Sequence, residues 1–147
     1  MRQRLFIISM LAISIWPTTV SSRNTLQHFS IEEAMNTAAA LEKLDKNISF
    51  YFGDQAHPEV SQGFGIATTN KKTNSFNKSD LEACQWVFLS AILSLQDRAI
   101  RSGANAVVNI SSYYQQKVFT SNTEYECGAG AMVAGVALKG KIVSLKK

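Results

Sequence analysis

Two groups of residues in this sequence carry side chains able to do chemistry. The first is Asp54-Gln55-Ala56-His57-Pro58-Glu59, which brings two carboxylates and an imidazole within six residues. Asp54, His57 and Glu59 could ligate a divalent metal, with His28 or Glu126 completing the shell. The same residues also suit a turn, with Asp54 bonding nearby backbone N–H groups and Pro58 stiffening the exit. The second group is Cys84 and Cys127, the two cysteines of the chain. In an oxidising compartment such a pair reads as a disulfide; a reactive thiol or a pair of metal ligands is the competing reading.

Other chemistries lack their parts. There is no phosphate loop, no Gly-x-Ser-x-Gly elbow and no His-Glu-x-x-His helix. Two cysteines cannot form a four-cysteine zinc site. A nucleophilic hydroxyl would need His28 or His57 as its base, and neither has a sequence neighbour that completes a triad. The expectation is a protein that is not an enzyme and needs no cofactor unless a divalent metal is held at Asp54, His57 and Glu59.

The elements that position these residues start after a leader. Arg2 and Arg4 precede an apolar run from Leu5 to Trp16, and Val20-Ser21-Ser22 offers small residues for a signal peptidase. Residues 1–22 read as a signal peptide and 23–147 as one domain, periplasmic or secreted, with no stable membrane anchor after cleavage. Without Arg2 and Arg4 the basic residues number 13 against 11 acidic, a net charge of +2. No dense basic stripe stands out, so nucleic acid is not an expected partner.

The chain is organised around Ser79 to Tyr114. Ser79 with Glu82 forms a capping box, Asp80 and Glu82 suit the positive end of the helix dipole, and Gly103 can take the left-handed conformation that ends a helix. Leu81, Cys84, Phe88, Ala91, Ile92, Leu95 and Ala99 share the core face of this long helix. A flank strip of Trp86, Leu89, Leu93 and Ile100 is either covered by the same chain or left for a partner or a second copy. After Gly103, Ala104 to Tyr114 reads as a strand with an amphipathic tail.

Before the long helix, Ser30-Ile31-Glu32-Glu33 is a second capping box, opening a shorter helix through Lys43 that could cover the flank strip. Arg23 to Phe29 reads as an extended lead-in. Ile48 to Phe52 and Gly63 to Thr69 read as strands, and the polar stretch Asn70 to Lys78 as a loop. At the end, Thr123 to about Leu138 reads as a single strand with Tyr125, Cys127, Ala129, Ala131 and Val133 on one face. Its Gly128-Ala129-Gly130-Ala131 run suits a bulge, close backbone packing or a ligand rim. The fold class is α+β: about four strands, mostly antiparallel, covered by one long and one shorter N-terminal helix in the order α-β-β-α-β-β. Cys84 on the core face and Cys127 in a strand would then staple helix to sheet.

Two resemblances attach to these residues. Gly103-Ala104-Asn105-Ala106-Val107-Val108 after a long helix resembles the YbjQ-type heavy-metal-binding domain and, more distantly, the RcsF-like envelope stress sensors. RcsF-like sensors carry a lipid anchor and two disulfides, where this chain offers one cysteine pair. Over most of residues 23–147 the chain is similar to small exported bacterial proteins labelled "excinuclease ATPase subunit". The similarity rests on Tyr51-Phe52-Gly53-Asp54-Gln55, Ser79-Asp80 with Glu82 to Trp86, Gly103 to Ile110, and Thr123 to Gly130. An excision-repair ATPase needs a nucleotide loop and several zinc cysteines, which these residues lack. What the resemblances imply is a small exported domain that binds an envelope or extracellular protein, or a heavy metal. For protein binding, Trp86, Leu89, Leu93, Tyr113 and Tyr114 are the expected contacts, and a homodimer is one form it could take.

Overall fold

A computed structural model describes residues 16–17 and 23–147. The expected leader therefore lies almost wholly outside the described residues. The elements run β1 (Asn24–Ser30), α1 (Ile31–Met35), α2 (Ala38–Lys43), β2 (Ser49–Phe52), β3 (Val60–Asn74), α3 (Asp80–Ser102), β4 (Ala106–Ser112), a single 3-10 turn (Tyr114–Gln116), β5 (Glu124–Gly130) and β6 (Val133–Leu145).

The class is α+β, as expected, but the four-stranded sheet is corrected to six strands of mixed direction. Strand β6 is the trunk. One of its edges pairs with β3 along nearly its whole length. The opposite edge is shared: Leu138 to Val143 pair with β4, while only Ala134 and Gly135 pair with β5. Strand β2 then adds parallel to β4, and β1 adds antiparallel to β5. The sheet curls because two branches leave one edge of the same strand.

Each departure from the expected element order has a local cause. The lead-in is strand β1, recruited by β5 from Asn24↔Gly130 to Ser30↔Glu124. The N-terminal helix breaks at Asn36, and Thr37 recaps it by accepting from Ala40 N–H. Strand β3 runs on through Asn70, Lys71 and Lys72 to Asn74, because β6 pairs with the whole stretch. The expected Thr123–Leu138 strand is a hairpin that turns at Ala131 and Met132. Tyr125, Cys127 and Ala129 keep their shared buried face, whereas Ala131 and Val133 are exposed at the turn.

Helix α3 forms as its sequence dictates. Ser79 Oγ accepts from Glu82 N–H, and Gly103 closes the helix at φ 72°. Its inner face, including Cys84, Phe88, Ile92, Leu95 and Ala99, is buried against the sheet. Phe88 stacks on Tyr125 at 4.2 Å and on Phe52 at 6.1 Å, tying both branches of the sheet to one helical turn. Burying a side chain of that size is worth about 1.5–3 kcal/mol. Strands β3 and β4 are both antiparallel to β6, so they are parallel to one another with β6 between them and α3 as the crossover.

The cysteines meet as a helix-to-strand disulfide, Cys84–Cys127, with Cα atoms 6.0 Å apart and a sequence separation of 43. Its position explains its value. The β1–β5 ribbon is hydrogen-bonded to the trunk only at Gly128↔Gly135 and Ala129↔Ala134. The sulfur bridge adds a covalent tie from the middle of β5 to α3. Cys127→Ser should lower unfolding free energy by about 4 kcal/mol on the loop-closure account. Urea unfolding checks the size, and hydrogen exchange should show β1 and β5 opening before β3 and β6.

Candidate functional site

The proposed metal residues do not converge. Glu59 Oε2 accepts from Lys146 Nζ at 2.8 Å, and His57 Nδ1 lies 2.8 Å from its neighbour's carbonyl at Pro58. The His57 ring rests on Tyr51, with centroids 5.5 Å apart. At Asp54 the backbone N–H donates to Asn122 Oδ1. The segment is a turn whose backbone is held by Gln55 and Asn122. The expected supplementary ligands, His28 and Glu126, pair with each other at 3.4 Å across β1 and β5, and the His28 ring packs on Phe119. Among the described residues no three His, Cys, Asp or Glu side chains gather as a metal centre. Neither imidazole hydrogen-bonds to a hydroxyl among these residues.

The expected contact residues divide between two faces. Tyr113 and Tyr114 lie on the sheet face away from α3. Lys139 Nζ sits 5.1 Å above the Tyr113 ring. A Cβ added at Gly128 would fall 2.2 Å from the Tyr114 hydroxyl, so Gly128 is the seat of this ring. Gln115 and Gln116 at φ 50° and 61° turn the loop sharply enough to hold the ring there. Close packing, one of the readings open in the sequence, accounts for Gly128.

Trp86, Leu89 and Leu93 lie on the flank of α3. Leu89 is buried, Leu93 half-buried and Trp86 44% exposed. The N-terminal helical segment covers the strip only in part. Thr37 and Ala39 face Glu82, Gln85, Trp86 and Leu89 across a cleft of about 170 Å³. Lys43 Nζ stands 5.5 Å from the Trp86 ring centroid and fixes one side of the indole by cation–π attraction. The cleft is thus a largely apolar slot with a tryptophan wall and a rim of Glu82, Gln85 and Thr37. Helical periodicity singled out its α3 wall. The α2 wall depended on the break at Asn36, which no periodicity marks.

At the start of α3, Asp80 accepts from Gln27 Nε2 of β1 at 2.7 Å and from Arg23, just before that strand, at 2.6 Å. The Gln27 hydrogen bond, opposed by desolvation and supported by Arg23, holds the Asp80 carboxyl below its ordinary 3.8. On the other side of the core, burial and then the charge of Glu33 push the Tyr125 phenol above its ordinary 10.0. No partner for the Tyr125 hydroxyl occurs among the described residues.

Comparison of the chain with protein-family models, with curated proteins and with solved structures found no match in any of the three.

Because the Asp80 pKa is depressed in the fold, its stabilisation is complete above the unfolded value and disappears as pH falls through the folded one. Asp80→Asn should reduce stability at pH 7 by about 0.5–1 kcal/mol, the scale of a charge at a helix N-terminus. The deficit should close on acidification below pH 3.8, as followed by thermal melts at stepped pH.

Proposed function

We propose that this is an exported, non-enzymatic binding module, periplasmic or secreted, that docks an envelope or extracellular protein through the Trp86 cleft. The observation that carries this reading is a half-exposed tryptophan set beside buried Leu89 in a slot between two helices. Tryptophans in that setting, apolar on one side and rimmed by polar groups, are the usual anchors of protein contacts. Export is supported by the disulfide, which suits an oxidising compartment, and by the leader read in residues 1–22. No helix among the described residues is long and apolar enough to cross a membrane. The RcsF-like resemblance points the same way, toward envelope proteins that act by contact. The YbjQ-type label points to a heavy metal, for which Asp54, His57 and Glu59 provide no convergent shell.

The Tyr113–Tyr114 face is assigned a supporting role, since Tyr114 is seated on Gly128 and Tyr113 carries Lys139. That division supplies an internal control. Envelope proteins retained by the immobilised wild-type chain should be retained equally by Tyr113→Ala, and at least about tenfold less by Trp86→Ala, the scale of a tryptophan hot spot. A capture profile that Trp86→Ala leaves unchanged, with its melting temperature intact, removes the cleft from the reading.

A further inference from the structure

Strand β3 is an edge strand. Its inner edge pairs with β6, and no strand occupies its other edge among the described residues. A long exposed edge with free N–H and C=O groups is a template for another strand, and proteins ordinarily guard such edges with charge, bulges or a covering element. Here the guard is partial. From Val60 to Asn70 the strand carries no charged side chain, and Ile66 is 56% exposed. Gly65 at φ 93° and the register shift between Gly63 and Ile66 bend the first part away. From Ile66 to Asn74 the register with β6 is continuous, so the unpaired edge is straight over that stretch.

Beside the start of this straight edge runs the side of α3. A cleft of about 300 Å³ lies between Ile66, Ala67 and Thr68 on the strand and Ser94, Arg98 and Arg101 on the helix, with buried Leu95 beneath. Neither guanidinium has a carboxylate within salt-bridge distance among the described residues; the arginine and lysine ion pairs there join Arg23 to Asp80 and Lys146 to Glu59. Lys71 and Lys72 follow farther along the same strand. Free backbone groups and two uncommitted guanidiniums lie in one groove between a strand edge and a helix. Strand addition in such a groove takes its affinity from main-chain hydrogen bonds and its selectivity from flanking side chains.

We infer that the groove between the β3 edge and the Ser94–Arg101 side of α3 binds an extended acidic peptide segment as an added strand. Arg98 and Arg101 take its carboxylates. A second copy of this chain fits less well: pairing the two β3 edges about Ile66–Thr68 would bring two Arg98–Arg101 pairs together across the symmetry axis, with like charges opposed. This groove lies on the opposite side of α3 from Leu89 and the Trp86 cleft and stands independently of it.

Fluorescence anisotropy with a labelled octapeptide alternating valine and glutamate tests the inference on the purified chain. Saturable binding is expected, weakened at least about tenfold when alternate peptide nitrogens are methylated, because that removes the ladder and keeps the charge. Arg98→Gln with Arg101→Gln should weaken it about fivefold with the circular dichroism of the fold retained, and Trp86→Ala should leave it unaltered. Several results would overturn the assignment: no saturation, equal binding of the methylated peptide or of one with lysine for glutamate, or indifference to the double arginine variant. Sedimentation showing a dimer that excludes the peptide would assign the edge to a second copy and overturn it as well.

Discussion

The attachment of α3 to β5 is the constraint on which the rest of this structure depends. A sheet that branches at one strand has a weak point where the shorter branch joins. Here the β1–β5 ribbon is well paired internally, yet it meets β6 in register at Ala134 and Gly135 alone. Backbone hydrogen bonds therefore do little to fix the ribbon on the trunk. What fixes it is the inner face of β5, where Tyr125 stacks on Phe88 and Cys127 is bonded to Cys84, all presented within about one turn of α3. The ribbon's outer strand is held as well by Asp80 at the helix N-terminus, which accepts from Gln27 of β1 and from Arg23 just before it.

That arrangement sets the chemical character of the molecule. Two ionisable side chains are perturbed: Asp80 by its hydrogen bonds to Gln27 and Arg23, and Tyr125 by burial in the core and the charge of Glu33. Neither lies in a cluster of metal donors among the described residues. Polar groups that could have ligated a metal are spent on local structure: His57 on the Pro58 carbonyl, Glu59 on Lys146, His28 on Glu126. What α3 leaves available are its two sides. One carries the tryptophan slot against α2, and the other runs along the unpaired edge of β3.

Much of α3 was legible in the residues, because helix capping and helical periodicity are local. Ser79, Glu82 and Gly103 mark its ends, and the wheel that placed Cys84 and Phe88 inward placed Trp86 on the flank. Periodicity failed where pairing partners decide. Asn70, Lys71 and Lys72 look like loop residues, but β6 holds them in a strand whose outer face meets solvent. The Gly128–Val133 stretch looks continuous, since small residues suit a strand or a turn alike. The Asn109 bulge, at φ 51° with its Nδ2 donating to the Gly53 carbonyl, is equally invisible within Ala106–Ser112.

The sequence by itself determined the long helix, its caps, its two-sided apolar character and the means for a disulfide, all properties of residues a few positions apart. Only the tertiary structure decided that β6 would be shared by two branches, that Tyr114 would be seated on Gly128, and that β3 would end at an edge beside Arg98 and Arg101. Strand order has no local signature. It emerges from which hydrogen-bonding edges find partners across the whole chain, and the groove that results belongs to the assembly of elements rather than to any one of them.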